Sequence, residues 1–240
     1  MKGDVAAIIP AAGAGTRLGG RTRKPFVLLH GKPLLAHTLS ALQASPSIRW
    51  IVLVVAARDR EFARRLLRRY RITKALAPCV GGSSRADSVA KGFAVVPADA
   101  QWVLIHDGAR PCVSRALIEH TVQAARRHGA VACGLPAMLT VKAVDEGGAV
   151  RVTLDRDHLW FVQTPQAFRR EWFREALAQA DHRLDQFPDD AALMESAGCP
   201  VRMVPGDPLN IKVTTPSDLL LAEAILTRHQ GRQPVSEERD

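Results

Sequence analysis

The chain reads IIPAAGAGTRLGGRTRKPF from Ile8 to Phe26, and this stretch decides the fold. An apolar run ends at Pro10, small residues follow, and the chain then becomes strongly basic. An apolar strand that leads into a glycine-rich loop is typical of α/β sheets, whose ligands lie at the carboxyl ends of the strands. Small side chains let backbone amides approach a ligand closely, and the basic residues favour a phosphate group.

Two familiar phosphate-binding loops do not fit this stretch. The dinucleotide fingerprint needs G-x-G-x-x-G, and here Gly13 and Gly15 are followed by Leu18 at the third glycine position. The P-loop needs a lysine after its last glycine, whereas Gly20 is followed by Arg21. The loop is therefore of a third kind, in which a strand leads into Pro-Ala-Ala-Gly-x-Gly-x-Arg.

Two basic residues of this loop are the candidates for phosphate contact. Arg17 can hold phosphate oxygens with its forked guanidinium, and Lys24 supplies a compact charge to the same group. A tight turn with solvated basic side chains is the alternative interpretation. Arg21 and Arg23 have no comparable argument, and we interpret them as surface charges.

Strand-like and helix-like segments alternate along the chain. Short runs rich in Val, Ile and Leu predict strands at 5–9, 50–56, 75–80, 102–106, 131–135 and 201–204. Amphipathic stretches predict helices at 33–43, 59–70, 85–95, 114–128 and 170–180, and Thr215 and Pro216 predict the start of a last helix that reaches about residue 228. This alternation predicts a three-layer α/β/α Rossmann-like sandwich with a mostly parallel sheet. Residues 1–230 are expected to form one domain, and 231–240 a frayed polar tail.

One segment departs from the alternation. TVKAVDEGGAVRVTLD, residues 140–155, has two β-rich arms around a turn and predicts a protruding β-hairpin arm at about 137–156. Such an arm either packs on another chain or folds back on its own domain, and the pattern favours neither. We take a dimerisation arm as the hypothesis.

Composition narrows the class of protein. Hydrophobic residues make up 47% and charged residues 24% of the chain, and no apolar run is long enough to span a bilayer. The first apolar run is too short for a signal sequence, so we expect a cytoplasmic protein without membrane contact. The four cysteines are dispersed, which predicts free thiols rather than a metal knuckle.

The charge is strongly positive, with a formal net charge of +9. The densest basic patch runs from Arg58 to Arg71, and its arginines at positions 64, 65, 68 and 69 share one helical face. Aromatic residues do not alternate with these charges as a base-stacking surface would require. We interpret the patch as a solvated helix face and do not expect nucleic acid as a partner.

Four further stretches accompany the loop: GGSSRADSV (81–89), HDGARP (106–111), LDRDHLWFVQTPQAF (154–168) and NIKVTTPSDL (210–219). Together with the loop they resemble the 2-C-methyl-D-erythritol 4-phosphate cytidylyltransferase family of nucleotidyltransferases in the non-mevalonate isoprenoid pathway, in the family's order from about Val5 to Arg228. The resemblance implies that CTP and methylerythritol 4-phosphate give 4-diphosphocytidyl-2-C-methyl-D-erythritol and pyrophosphate by in-line attack of the substrate phosphate. It also implies Mg²⁺ or another divalent cation, held mainly by triphosphate oxygens, and a homodimer through the arm.

The resemblance assigns roles residue by residue. The catalytic set is Arg17, Lys24, Arg156 and Lys212. The CTP-binding set is Pro10, Ala11, Ala12, Gly13, Gly15, Gly81, Gly82, Arg85, Ser88 and Asp107. The set that binds the polyol phosphate is Asp107, Arg110, Thr140, Arg156, Thr164 and Lys212. Arg85 is expected to brace its loop and His106 to be structural, and in the family Thr140 and Arg156 come from the partner subunit.

Alternatives and departures remain. Ribitol 5-phosphate is an alternative acceptor, a sugar 1-phosphate nucleotidyltransferase that uses UTP or GTP is an alternative enzyme, and a non-catalytic nucleotide- or RNA-binding protein is an alternative class. Pro25 follows Lys24 where the family commonly has glutamine, and residues 188–192 read PDDAA where it often has Thr-Asp-Glu-Ala-Ser. We expect neither departure to touch the charged set of Arg17, Lys24, Arg156 and Lys212.

Overall fold

The computed structural model describes residues 3–13 and 26–230. The strands are β1 Val5–Ala11, β2 Leu28–Leu29, β3 Lys32–Pro33, β4 Ile48–Val55, β5 Cys79–Val80, β6 Trp102–Ile105, β7 Ala130–Pro136, β8 Val141–Val144, β9 Val150–Leu154, β10 Trp160–Arg169 and β11 Arg202–Pro205. The α-helices are α1 Leu34–Ala44, α2 Arg60–Arg69, α3 Arg85–Phe93, α4 Arg115–His128, α5 Arg170–Ala180, α6 Asp190–Ser196 and α7 Pro216–Gln230.

Seven strands form the central sheet in the order β11-β7-β10-β6-β1-β4-β5. β1 lies in the middle and pairs in parallel with β4 and β6, so that Ile8 lies beside Val52 and Ile105. β10 is antiparallel to both of its neighbours, β6 and β7. The remaining pairings, β4 with β5 and β7 with β11, are parallel, which confirms the predicted mostly parallel sheet.

Helices cover both faces of this sheet. One core packs α1, α2 and α4 against residues such as Ile9 and Leu53, and the other packs α3, α5 and α6 against Ile8 and Phe168. Burial of alternate residues of one strand in opposite cores is the pattern of a sheet enclosed on both sides. The predicted three-layer sandwich is confirmed.

Two strand predictions were wrong. The predicted strand at 75–80 is reduced to β5 and an isolated bridge between Ala75 and Ile51, because Pro78 interrupts the run and has no amide to donate. β10 was not predicted at all. Its centre, Gln163 to Gln166, is polar and does not form an apolar run, yet it is buried through hydrogen bonds to neighbouring segments.

The predicted arm is present as a hairpin of β8 and β9 that pairs only with itself among the described strands. Its cross-strand pairs place Val141 beside Leu154 and Ala143 beside Val152 on one face. On the other face Lys142 Nζ donates to Thr153 Oγ1 over 2.7 Å. The arm is therefore amphipathic, and every residue of β9 is exposed.

The last helix begins as its sequence predicted. The Thr215 hydroxyl accepts from the Asp218 amide, and Asp218 Oδ2 accepts in return from the amides of Thr214 and Thr215. These bonds, with that of the Thr214 hydroxyl first among them, lower the pKa of Asp218 to about 2. In residues 3–13 and 26–230, no helix combines the length and the apolar character needed to cross a membrane. The four cysteines are free thiols.

Candidate active site

The site lies where the parallel strands end. The carboxyl ends of β1, β4, β5 and β6 meet at one edge of the sheet, and the chain continues there into Ala12-Gly13, Gly81-Gly82 and His106-Asp107. Because β10 runs in the opposite direction, its early residue Thr164 reaches the same edge. The motifs that were separate in the sequence thus meet in space.

Asp107 is the centre of the charged cluster. Its carboxylate is buried; Oδ1 lies 3.0 Å from Arg85 Nε, and Oδ2 lies 2.7 Å from Lys212 Nζ and 4.0 Å from Arg110 Nε. Burial acts to raise the pKa of Asp107, but the charges of Arg85 and Lys212 outweigh it and hold the pKa well below its usual range. Asp107 is therefore ionised, and it holds Lys212, whose side chain remains 41% exposed, at the mouth of the site.

Arg85 joins this cluster to α6. Its Nη2 lies 2.8 Å from Oδ2 of Asp190, which is 2% exposed. Burial opposes the charge of Arg85, yet Asp190 and Asp107 together raise its pKa above the ordinary value. For Asp190, burial is the larger effect and raises the pKa, although Arg85 opposes it. These contacts join Arg85 to Asp107 and Asp190 rather than to its own loop, so its expected roles in bracing that loop and in binding CTP stay predictions.

A chain of hydrogen bonds between uncharged groups fixes the backbone of Asp107. The Asp107 amide donates to Thr164 Oγ1 over 3.0 Å, and that hydroxyl lies 3.2 Å from His106 Nδ1. Burial, with the nearby charge of Arg110, lowers the pKa of His106 to about 4, so the ring is neutral. Thr164 therefore donates to Nδ1, and Nε2 donates to the Arg110 carbonyl over 3.4 Å. The predicted structural role of His106 agrees with this arrangement.

Arg110 is buried and lies along the loop that carries Lys212. Its Nη1 donates to the Asn210 carbonyl over 2.7 Å. Asn210 in turn donates from Nδ2 to the Thr164 carbonyl over 2.8 Å, and Gln163 holds Asp207 of the same loop through two bonds. Burial lowers the pKa of Arg110, while Asp107 opposes this effect. Because an arginine starts from so high a value, the guanidinium remains charged.

The glycines of the second motif allow a very close approach of chain segments. A Cβ added to Gly81 would lie 2.5 Å from Ala12 Cβ and 2.8 Å from Ser88 Oγ, and one added to Gly82 would lie 1.8 Å from Asp87 Oδ2. Ser88 is 3% exposed, and its Oγ accepts from the Gly82 amide over 3.0 Å. Ser88 thus fixes the segment of Gly81 and Gly82 through the Gly82 amide. A hydrogen bond from Ser88 to cytosine stays a prediction.

The helix behind these glycines begins with a side-chain cap. Ser84 Oγ accepts from the Asp87 amide over 3.0 Å. Asp87 Oδ2 accepts from the Ser83 amide over 2.8 Å. These reciprocal bonds fix the chain from Gly82 into α3.

The nucleotide loop is only partly described. Pro10, Ala11 and Ala12 are half-buried at the end of β1, and Gly13 is exposed. Gly15, Arg17 and Lys24 lie outside the described residues. Their predicted roles at the triphosphate therefore stay predictions.

Two predicted site residues lie on the arm and apart from the charged cluster. Thr140 is exposed just before β8, and Arg156 is exposed after β9, where its Nη1 donates to the Met138 carbonyl over 2.8 Å. Within the described residues, no hydrogen bond or ion pair joins Thr140 or Arg156 to Asp107 or Lys212.

Sequence reasoning missed two residues of the cluster, Asp190 and Asn210. Asp190 of the PDDAA segment pairs with Arg85. The expectation that this departure does not touch Arg17, Lys24, Arg156 or Lys212 stays a prediction. Nothing in the local pattern marked Asp190. Asn210 was available in the NIKVTTPSDL motif as a polar residue beside Lys212, but only the fold shows that it is fully buried.

Comparisons with known proteins agree with the geometry. The family model of 2-C-methyl-D-erythritol 4-phosphate cytidylyltransferase matches residues 5–228. A protein of that name from Syntrophus aciditrophicus is 44% identical over 233 residues, which cover 97% of this chain and 100% of the relative. The crystal structure of such a cytidylyltransferase from Thermus thermophilus is similar with a TM-score of 0.75 and 34% identity, over 94% of this chain and 99% of that one. The structure of 4-diphosphocytidyl-2C-methyl-D-erythritol synthase from Anaerococcus prevotii gives a TM-score of 0.83 at 30% identity, over 95% and 97% of the two chains.

Proposed function

The chain belongs to the 2-C-methyl-D-erythritol 4-phosphate cytidylyltransferase family, and from this premise we propose how its residues carry out the reaction. The chain is a nucleotidyltransferase of isoprenoid biosynthesis that converts CTP and methylerythritol 4-phosphate to the cytidine diphosphate derivative of the alcohol, with release of pyrophosphate. The comparisons do not favour ribitol 5-phosphate as the acceptor, nor a protein without catalysis.

The chemistry calls for cations rather than a general base. The attacking phosphate is already ionised, so no proton has to be removed from it, and both substrates are strongly anionic. Positioning and electrostatic stabilisation then supply most of the rate acceleration. The observation that carries this mechanism is the cluster around Asp107, in which Arg85, Arg110 and Lys212 surround one ionised carboxylate at the sheet edge.

Lys212 is proposed to hold the attacking phosphate. Its amine is fixed by Asp107 on one side and is exposed on the other, so a phosphate can bind without displacing the lysine. Arg156 of the partner subunit is proposed to hold the same phosphate. Arg17 and Lys24 are proposed to stabilise the pentacoordinate α-phosphorus and the leaving pyrophosphate.

Hydroxyl recognition falls to the neighbours of Lys212. Asp107 can accept from hydroxyls of the ribose or the polyol with the lone pairs that its ion pairs leave free. Arg110 is proposed to line the polyol site, together with Thr164 and the partner's Thr140. Because Thr164 also fixes the Asp107 amide, we expect it to act mainly by orientation.

The CTP site is proposed to lie between the ends of β1 and β5. The close approach of Gly81 to Ala12 leaves backbone groups rather than side chains facing the nucleotide. Pro10, Ala11, Gly13 and Gly15 would line the same wall, with Gly82 and Ser88 at the base.

Mg²⁺ is proposed as the cofactor, carried mainly by the triphosphate. Within the described ranges, the His, Cys, Asp and Glu side chains form no group of three or more that could hold a metal ion. Mg²⁺ commonly binds through substrate phosphates, water and one or two carboxylates, and Asp107 is the carboxylate that could contribute here. When bound, the ion neutralises charge on the transferring phosphates.

A homodimer through the arm is proposed as the working assembly. Val150, Val152 and Leu154 of β9 are 57%, 50% and 40% exposed on an apolar face that nothing in the described chain covers. A second copy that covers this face would carry Thr140 and Arg156 to the partner's cluster. We propose that the enzyme works in the cytoplasm, a reducing compartment that suits its free thiols.

A pyrophosphate-release assay over a panel of substrates tests the function. We expect release only with CTP and methylerythritol 4-phosphate together, and at least about tenfold less with ribitol 5-phosphate, UTP or GTP. Faster release with ribitol 5-phosphate would overturn the acceptor. An inactive protein that binds RNA with a steep dependence on salt would support the non-catalytic class instead.

A further inference from the structure

Arg85 lies in an unfavourable place for a cation. It is the first residue of α3, where the helix dipole presents its positive end. Two carboxylates compensate: Asp107 lies 3.0 Å from Nε and Asp190 lies 2.8 Å from Nη2. The guanidinium is thus a bridge between the catalytic cluster and a second, buried carboxylate.

Asp190 is also fixed by hydrogen bonds at the start of its own helix, α6. It is the first residue of α6, whose N-cap Asp189 accepts from the Ala192 amide over 2.8 Å. The amide of Ala191, the residue after Asp190, donates to Gln166 Oε1 over 3.0 Å. Gln166 lies on β10 close to Thr164, which binds the Asp107 amide. The contacts therefore close a ring from Asp107 through Arg85, α6 and β10 back to Asp107.

The two oxygens of Asp107 are divided between two cations. Oδ1 receives Arg85 and Oδ2 receives Lys212. An arginine with a single carboxylate partner tends to bind both oxygens with its fork. Asp190 engages the far nitrogen of Arg85 and so leaves Oδ2 of Asp107 to Lys212.

We propose that Asp190 is a positioning residue, which acts through Arg85 to keep Asp107 Oδ2 available for Lys212 and thereby sets where Lys212 meets the attacking phosphate. This inference rests on the proposed function, since it concerns the same reaction. Asp190 itself is 2% exposed and is not expected to touch either substrate.

Asp190→Asn tests the inference, because it removes the charge and keeps the size. We expect KM for methylerythritol 4-phosphate to rise about tenfold and kcat to fall about tenfold, with KM for CTP within about twofold of wild type. Asp190→Glu, which restores the charge, should recover at least part of the loss. Glu195→Gln is the matched control, because it makes the same carboxylate-to-amide change on the same helix, at an exposed residue that does not pair with Arg85; its kinetics should match wild type.

A double-mutant cycle separates a positioning role from a merely structural one. If Asp190 acts through Arg85, Asp190→Asn should add less than about twofold to the kinetic defect of Arg85→Gln. If Asp190→Asn does not fold, Arg85→Lys serves instead, because an ammonium cannot bridge both carboxylates, and it should show the same selective rise in KM for the polyol phosphate.

Several results would overturn the inference. One is wild-type kinetics for folded Asp190→Asn, another is equal loss in Glu195→Gln, and a third is full additivity with Arg85→Gln. For Arg85→Lys, an unchanged KM for the polyol phosphate would do the same. Failure of the proposed function is distinct, because wild-type protein would then release no pyrophosphate from CTP and methylerythritol 4-phosphate.

Discussion

The charged cluster and the arm differ in how much of their environment one chain supplies. Asp107 is buried, its carboxylate meets three cations, and its amide is bound by Thr164. The arm pairs only with itself among the described strands, and β9 is exposed along its whole length. The residues predicted to bind the polyol phosphate are nevertheless divided between these two regions.

The contrast between the buried cluster and the exposed arm indicates how the site is assembled. Buried charges must be paired within the fold, because an isolated one would be costly, so the cluster is preorganised in a single chain. An exposed apolar strand face is unfavourable in a monomer and becomes favourable when another surface covers it. We therefore propose that one half of the site is built by folding and the other by association.

The largest expected effect comes from removing the lysine of the cluster. Lys212→Ala should lower kcat/KM about 10²- to 10³-fold, because it removes a charge that acts on the reacting phosphates. Steady-state pyrophosphate release measures the loss, and circular dichroism verifies the fold. Lys91→Ala is the control, since Lys91 is exposed and pairs with Asp87 outside the cluster. Near wild-type turnover of Lys212→Ala would refute the cationic mechanism.

The arm should respond to charge on its apolar face only. If the arm forms the proposed dimer, Val152→Asp should weaken that dimer about 100-fold, because a carboxylate would be buried without a partner, and activity should fall in parallel as monomers form. Light scattering at micromolar protein, with activity measured on the same samples, gives both quantities.

The adjacent residue provides the control for this prediction. Thr153→Asp lies on the opposite, polar face beside Lys142 and should leave the dimer intact. A Val152→Asp protein that is monomeric and fully active would show that the arm has no part in the site.

The smallest expected effect concerns the pH dependence of stability. His106 has its pKa lowered to about 4 by burial, so between that value and the unfolded value near 6.5 the unfolded chain binds more protons. Stability is therefore lost as pH falls through this window, by about 2 kcal/mol between pH 7 and pH 5. The His106→Asn variant should lack this share of the loss in urea unfolding, whereas His158→Asn, at an exposed histidine beyond the arm, should keep it. An unchanged pH dependence in His106→Asn would contradict the neutral buried ring.

The sequence predicted the fold well wherever local patterns determine it. Apolar runs and amphipathic stretches predicted the three layers and five helices almost to the residue, since these patterns follow directly from burial. β10 was not predicted, because Gln163 and Gln166 are buried through hydrogen bonds to distant segments, which no local pattern can show. Pro78 shortens β5, and a proline in a predicted strand is a signal that was present in the sequence.

The sequence predicted individual residues of the site but not the ion pairs that join them. Motifs named Arg85, Asp107, Arg110, Thr164 and Lys212 individually, and the fold brings these five together. The pairing of Arg85 with Asp190 depends on the packing of α6 against α5 and β7, which is set by long-range contacts. Charge pairing between distant segments is thus the part that sequence reasoning could not supply.

Subunit mixing tests the divided site most directly. Lys212→Ala disables the cluster and Arg156→Ala disables the arm, so each homodimer alone should be nearly inactive. After mixing and subunit exchange, heterodimers should contain one intact site, and activity should recover to about a quarter of the wild-type value for equal amounts of the two variants. A mixture that stays as inactive as its components, although both variants are folded, dimeric and shown to exchange subunits, would contradict a site completed by the partner's arm.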